Sequence, residues 1–334
     1  MTKNVLCLRP EADFLRVGVT PPAAVQVRYM TSADPDLAAA INAADAIVMP
    51  AIGTKLASAL FEGTKVRLVQ VTGAGIDRLD APAMQRLGIP VANVPGGSNN
   101  AVAEYCVAAA LTLLRRTAWS SGEIRRGRYA EFRARMIADN LAGLDGLTVG
   151  VVGLGTIGMA VAAAFARHHS RIAYVDPKPP YPEAAREAGW TAMPLPGLLA
   201  TADVVTLHVP LSPATTGLIG AAELARMKAG AILINAARGG IVDEAALAAS
   251  LSSGHLGGAV VDVYTTEPPR PDNPLLLVPA EAAERLLLTP HIAGVTRQAS
   301  AILFQSSWEN VERVLVRGEP PLNVCNRAGV GSRE

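Results

Sequence analysis

The chain has 334 residues, half of them hydrophobic, and thirty basic side chains against twenty-nine acidic ones leave a formal net charge of +1. That length predicts two domains with a core each, and the even charge balance speaks against a nucleic-acid or anionic-membrane partner. Cys7, Cys106 and Cys325 lack CxxC or Cys/His ligand spacing, which argues against a metal site, and the long uncharged run Val204 to Ala222 is interrupted by Pro210, Pro213 and Gly217 and does not suit a spanning helix.

The start, Met1-Thr2-Lys3-Asn4, runs straight into strand-like Val5 to Leu8 with no apolar signal segment, so the expected compartment is cytoplasmic. Further β-rich runs follow at Val25 to Tyr29, Ala46 to Met49, Arg67 to Val71 and Val91 to Val94, with a helix over Asp36 to Ala44 behind Pro35. Such alternation predicts a small parallel α/β domain. Pro95-Gly96-Gly97-Ser98-Asn99-Asn100 is a polar turn whose asparagines can cap what comes next. Val102, Cys106, Ala109 and Leu113 are spaced for a long helix from about Ala101 to Arg116, read as the hinge between domains.

From Leu147 to Asp176 an aliphatic strand meets Gly153-Leu154-Gly155-Thr156-Ile157-Gly158, an alanine-rich helix and a second strand ending on an acid. This is a βαβ unit with the glycine pattern of dinucleotide binding. Gly153 permits the tight turn, Gly155 admits a pyrophosphate to the backbone, Gly158 lets helix and strand pack closely, and the helix N-terminus favours the anion. Asp176 stands where an acid hydrogen-bonds the adenosine ribose, which predicts NAD and makes NADP less favoured, although Lys178 could soften the preference. Strand-like runs recur at Asp203 to His208, Ala231 to Asn235, Gly258 to Val263 and Leu286 to Thr289. Beyond His291, Phe304, Trp308, Val311 and Leu315 form one stripe of an amphipathic helix, stopped at Gly318-Glu319-Pro320-Pro321 and expected to complete the first domain. The tail from about Asn326 to Glu334 reads as polar and frayed. The expected architecture is therefore α/β with two doubly wound parallel-sheet domains, residues 99–294 forming a Rossmann cofactor domain inserted into a substrate domain of residues 1–98 and 295–334.

Three chemically useful side chains stand just past strand ends: Arg238 in Ala236-Ala237-Arg238-Gly239-Gly240, Glu267 in Thr266-Glu267-Pro268, and His291 in Thr289-Pro290-His291-Ile292-Ala293-Gly294. Ligands of open α/β sheets bind outside the carboxyl ends of the strands, so all three can converge there. Hydride transfer between a nicotinamide and a 2-hydroxy acid needs a guanidinium to hold the carboxylate and polarise the oxo group, a histidine to pass the proton, and a carboxylate to orient that histidine. Arg238, His291 and Glu267 supply one of each. The small residues of Thr72-Gly73-Ala74-Gly75 can turn backbone N–H groups toward a carboxylate and form the second part of the substrate site. Asp77 and Glu104 are read as structural.

Together with Val71 to Asp77, Ala101-Val102-Ala103-Glu104, Leu207 to Leu211, Asn235 to Glu244 and Val261-Asp262-Val263-Tyr264, these segments resemble the D-isomer-specific 2-hydroxyacid dehydrogenase family over nearly the whole chain. The resemblance implies that Arg238 binds substrate, His291 is the acid/base and Glu267 its partner. It further implies that Thr156 and Ile157 line the pyrophosphate, that Val209, Ala236 and Asp262 line the nicotinamide side, and that His208, Pro210, Ala237 and Gly294 flank the cofactor. A homodimer built through the cofactor domains is implied too. Phosphoglycerate-specific members of that family usually carry an arginine in the loop that here reads Met49-Pro50-Ala51-Ile52-Gly53-Thr54-Lys55, and none is present. Ala74 stands where phosphite-oxidising members have a lysine, and Glu267 where formate dehydrogenases have a glutamine. The expectation is an NAD(H)-dependent oxidoreductase acting on a small D-2-hydroxy or 2-oxo acid, running as a reductase of an acid such as glyoxylate or hydroxypyruvate. Phosphoglycerate dehydrogenase is the alternative within the family, and an NAD(H)-sensing corepressor-type binding protein the alternative from another class.

Overall fold

A computed structural model describes residues 3–139, 141–179 and 181–326. The chain divides into two compact units, Met1–Ser98 with Val295–Glu334, and Asn99–Gly294.

The first unit holds a five-stranded, all-parallel sheet of β1 (Lys3–Cys7), β2 (Val25–Tyr29), β3 (Ala46–Met49), β4 (Val69–Val71) and β5 (Val91–Ala92), in the order β2-β1-β3-β4-β5. This is the flavodoxin-like order, whose direction reverses between β1 and β3. Every residue of Ala46–Met49 is buried, as expected of a strand covered on both faces. One cover is the C-terminal helix Arg297–Leu315, whose Phe304, Trp308, Val311 and Leu315 are all buried. Phe14 stacks obliquely on Phe304 and Trp308 at 4.6 and 5.4 Å, and each fully buried apolar side chain of this kind stabilises the fold by about 1.5–3 kcal/mol. Asn310 locks the helix to the sheet by donating to buried Gln70 at 2.6 Å.

The expectation of a frayed tail fails at its first residue. Asn326 is buried: its Oδ1 accepts from the Val91 N–H at 2.9 Å and its Nδ2 donates to the Ile89 carbonyl at 2.8 Å. Residues 327–334 lie outside the described residues.

The second unit carries a seven-stranded parallel sheet of β6 (Thr148–Val152), β7 (Arg171–Val175), β8 (Thr191–Ala192), β9 (Val204–Leu207), β10 (Ile232–Asn235), β11 (Gly258–Val261) and β12 (Leu286–Leu288). Its order, β12-β11-β10-β9-β6-β7-β8, is the Rossmann order extended by one strand. A first helix, Asn99–Leu114, packs against Thr156–Ala166. It begins two residues earlier than the sequence pattern indicated, so Asn99 and Asn100 lie in its first turn instead of capping it, and the Asn99 amide donates to the Thr156 carbonyl at 3.2 Å. It also ends earlier, before Arg116, which takes a left-handed φ of 49°. Two short helices, Thr117–Arg125 and Tyr129–Ala138, then follow where the sequence reading placed no element.

Candidate active site

The glycine turn after β6 is built as its spacing demands. Gly153 has φ of 89°, and a Cβ on Gly158 would fall 2.0 Å from the Gly153 carbonyl oxygen, so only glycine lets Thr156–Ala166 start this close to the strand. Gly155 precedes that helix, whose first amides have no intrahelical acceptors. Asp176, just past β7, accepts from the Leu154 N–H through Oδ2 and from the Lys178 N–H through Oδ1, both at 2.8 Å. The acid thus braces the glycine turn and keeps further lone pairs on each oxygen for a ribose hydroxyl. Turn, helix end and acid together fit a dinucleotide.

On the far side of the turn, His208 follows β9, and its carbonyl would meet a Cβ on Gly153 at 2.7 Å. Its Nε2 pairs with Thr206 Oγ1 at 2.8 Å, and burial pushes its pKa down to about 3, so the ring is neutral. Val209 is half-buried and Pro210 exposed.

Beyond β10 the chain turns through Ala236 and Ala237 into Arg238. Asn235 shapes that turn, its Oδ1 accepting from the Ala237 N–H at 3.2 Å and its Nδ2 donating to the Arg238 carbonyl at 3.1 Å. A Cβ on Gly239 would lie 1.9 Å from the Tyr264 carbonyl oxygen, so the exits of β10 and β11 touch. Arg238 and Glu267 are consequently neighbours. Burial pushes the Glu267 carboxyl up, but hydrogen bonds from His291 and the Tyr264 N–H, with the charges of His291 and Arg238, outweigh it and hold the group below its ordinary value.

His291 Nδ1 lies 2.8 Å from Glu267 Oε2, while Glu267 Oε1 accepts from the Tyr264 N–H at 3.0 Å. The imidazole is 25% exposed, enough for its other nitrogen to meet a small molecule. Its backbone sits at φ of 56°, a left-handed conformation held by the His291 N–H donating to the Asp262 carbonyl at 2.8 Å. Arg238, Glu267 and His291, taken from separate strand ends, therefore gather at one place.

Asp262, just past β11, is held by the loop that carries His291. Its carboxylate is fully enclosed: Oδ1 accepts from Thr289 Oγ1 at 2.5 Å and the Ile292 N–H at 2.8 Å, and Oδ2 from the Ala293 N–H at 2.8 Å. It anchors the His291 loop. Thr289 is held in turn by the Tyr105 hydroxyl at 2.6 Å. Neither Tyr105 nor Asn235 was singled out as a site residue from the sequence. An asparagine ending a buried strand before an arginine was a usable signal for Asn235; nothing local marks Tyr105, which is 184 positions from its partner.

In the first unit, Thr72, Gly73, Ala74 and Gly75 form the turn after β4. Its carbonyls are occupied, Gly73 accepting from the Val94 N–H at 2.9 Å and Ala74 from the Asn93 side chain at 2.6 Å. The Thr72 N–H in turn donates to the Met49 carbonyl at 2.8 Å.

The second unit thus combines a Rossmann strand order, a glycine turn of the dinucleotide-binding type and an imidazole–carboxylate pair beside a guanidinium. Residues 107–293 match the family model described as D-isomer specific 2-hydroxyacid dehydrogenase, NAD binding domain. The chain is 39% identical over 251 residues, 75% of it and 78% of the relative, to an (S)-sulfolactate dehydrogenase of Chromohalobacter salexigens. With a D-3-phosphoglycerate dehydrogenase of Archaeoglobus fulgidus it shares 35% identity over 274 residues, 82% of this chain and 50% of that one, so it spans about half the length of that relative. Among solved structures, an NADPH-dependent glyoxylate/hydroxypyruvate reductase from Sinorhizobium meliloti, in complex with NADP and malonate, superposes with a TM-score of 0.79 at 25% identity, covering 98% of both chains. The chain belongs to the D-isomer-specific 2-hydroxyacid dehydrogenase family.

Proposed function

We propose that the protein is an NAD(H)-dependent oxidoreductase that interconverts a small 2-oxo acid and its D-2-hydroxy acid, acting chiefly as a reductase of unphosphorylated acids such as glyoxylate or hydroxypyruvate. The His291–Glu267 pair at 2.8 Å beside Arg238 carries this reading. Gly153, Gly155, Thr156, Ile157 and Gly158 would hold the pyrophosphate, Asp176 the ribose, and residues 208–210, 236–237 and Gly294 the remainder of the cofactor, which in its reduced form, NADH, would supply the hydride. Arg238 grips the carboxylate and draws charge onto the oxo oxygen; His291 gives that oxygen its proton; Glu267 keeps the ring oriented. The amides of Gly73, Ala74 and Gly75 offer further N–H groups for a carboxylate. Asp176 makes NAD the preferred cofactor over NADP, because its charge repels a 2′-phosphate.

The loop from Met49 to Lys55 has no arginine, which sets this chain apart from a phosphoglycerate-type site. Steady oxidation of NADH by glyoxylate or hydroxypyruvate, well above that by phosphohydroxypyruvate, is the expected result of a panel assay. The reverse ranking contradicts the substrate reading, and tight NADH binding without turnover of any acid replaces it with a cofactor sensor.

A second copy of the chain is the natural cover for Thr117–Ala138. Thr117–Arg125 buries no residue, and Ile124, Tyr129 and Ile137 are each more than half exposed. Supporting this reading, Ile137→Glu should shift a dimer to monomer in sedimentation; a wild-type monomer refutes it. Among the described residues, no helix is long and apolar enough to cross a membrane.

A further inference from the structure

The segment that presents Glu267 has little of its own to hold it. Residues 265–273 are irregular backbone, Pro268, Pro269 and Pro271 carry no N–H, and positions 265–268 are exposed, so neither a strand ladder nor packing fixes the carboxylate that meets His291. Within the segment, the Asn273 N–H donates to the Arg270 carbonyl at 3.0 Å and Arg270 pairs with Asp272 at the surface. An exposed, loosely packed stretch of this kind opens easily, whereas a carboxylate that orients a histidine has to stay in one place.

Glu244 supplies the missing ties. It is the first residue of the helix Glu244–Ser252, where an acid is ordinarily explained by the helix dipole or by capping. Capping is already done by Asp243, whose Oδ1 accepts from the Ala245 and Ala246 N–H groups at 2.9 and 3.0 Å. Both Glu244 oxygens instead reach across to the Glu267 segment: Oε1 accepts from the Thr265 N–H and Oε2 from the Asn273 side-chain amide, each at 2.7 Å. One carboxylate thus clamps both ends. The Asn273 end is firm, since that side chain is buried and its Oδ1 accepts from the Leu275 N–H at 2.9 Å. The Thr265 end lies two residues from Glu267 and follows Tyr264, whose N–H donates to Glu267 Oε1 and whose carbonyl abuts Gly239, next to Arg238. Hydrogen bonds to an ionised acceptor are roughly twice as strong as neutral ones, which suits them to holding an exposed segment.

We propose that Glu244 is a positioning residue for the proton transfer: by tying residues 265 and 273 it holds Glu267 against His291, and it acts through Glu267, not on the substrate. The kinetic consequence rests on the reductase reading; the geometric one does not.

The test compares single-turnover oxidation of bound NADH by hydroxypyruvate in the wild type, Glu244→Gln, Glu267→Gln and the variant carrying both changes. Alongside it, NMR follows the downfield proton that His291 Nδ1 shares with Glu267, assigned by its absence from His291→Ala. A glutamine has one acceptor for two donors: with its oxygen at Thr265, its NH₂ faces the NH₂ of Asn273. Glu244→Gln should therefore slow turnover about tenfold, leave NADH affinity within about twofold of wild type, and remove or broaden the resonance. In the Glu267→Gln background the same change should cost less than about twofold, because residues acting through one another are not additive. Adding Asn273→Asp to Glu244→Gln rebuilds the clamp, amide to carboxylate, with an oxygen still facing the Leu275 N–H; turnover should return to within about threefold of wild type, and the resonance with it. Asn273→Asp alone sets carboxylate against carboxylate and should slow turnover as Glu244→Gln does, which decides the matter should Glu244→Gln fail to fold. Full activity of Glu244→Gln, or the same fold-loss in the Glu267→Gln background as in the wild type, overturns the proposal. If the wild type reduces no acid, the reductase reading falls and the resonance alone decides: its loss in Glu244→Gln and return with Asn273→Asp keep the clamp, and its persistence in Glu244→Gln overturns it.

Discussion

Replacing Asp262 by asparagine changes almost no volume, yet it should disable the His291 loop. In the wild type the two carboxylate oxygens receive one hydroxyl and two backbone N–H groups, all within 2.8 Å, in a position with no solvent access. An asparagine has one oxygen. If that oxygen serves Thr289 and Ile292, the amide NH₂ faces the Ala293 N–H, donor against donor, and the buried N–H loses its acceptor at a cost of about 1–3 kcal/mol. Loss of charge assistance in the two remaining bonds brings the total to about 2–4 kcal/mol. Part of this is relieved by moving the loop, which displaces His291 from Glu267, so turnover should fall about 10- to 100-fold, equivalent to about 1.4–2.8 kcal/mol. Urea unfolding gives the first quantity and NADH oxidation with hydroxypyruvate the second. A variant within about 0.5 kcal/mol of wild type and fully active would refute the assignment of Asp262 as the loop's anchor.

Acid should destabilise the fold through His208. Its folded pKa of about 3 lies below the ordinary 6.5, so the unfolded chain takes up the proton first; the stabilisation is complete above 6.5 and declines as pH falls toward 3. Between pH 7 and 5 the loss from this residue is about 2 kcal/mol, measurable as a urea-midpoint shift that His208→Gln should flatten. Glu267 adds a separate window: held below its ordinary 4.5, it contributes stability above that value and loses it at more acid pH, so Glu267→Gln should blunt acid unfolding below about pH 4.5. Asp176→Ala should narrow the gap between NADH and NADPH in kcat/KM and, by freeing the Leu154 N–H, weaken both; an unchanged preference contradicts its ribose role.

Much of the second unit was legible because its signals are local. The glycine turn, the acid past β7 and the alternation of apolar runs each act over a few residues, and the strands other than the two-residue, exposed β8 occur within two or three residues of where periodicity put them. Arg238, Glu267 and His291 could be picked out because each follows an apolar strand-like run, where a charged side chain has little reason to be unless it faces a ligand. What stayed hidden depends on contacts distant in sequence. Nothing in Asn326 itself reveals that it will hydrogen-bond Ile89 and Val91 more than 230 positions away, so a polar tail read as frayed. The helices between Thr117 and Ala138 escaped notice because they bury almost nothing within the unit, and burial is what imprints periodicity on a sequence.

The proton-transfer assignment of His291 is tested most directly by mixing the protein, preloaded with a single equivalent of NADH, with excess hydroxypyruvate and following nicotinamide absorbance through one turnover. His291→Ala should bind NADH as the wild type does and oxidise it slower by about a hundredfold or more, the loss expected on removing a positioned acid. Oxidation at the wild-type rate by that variant would contradict the account.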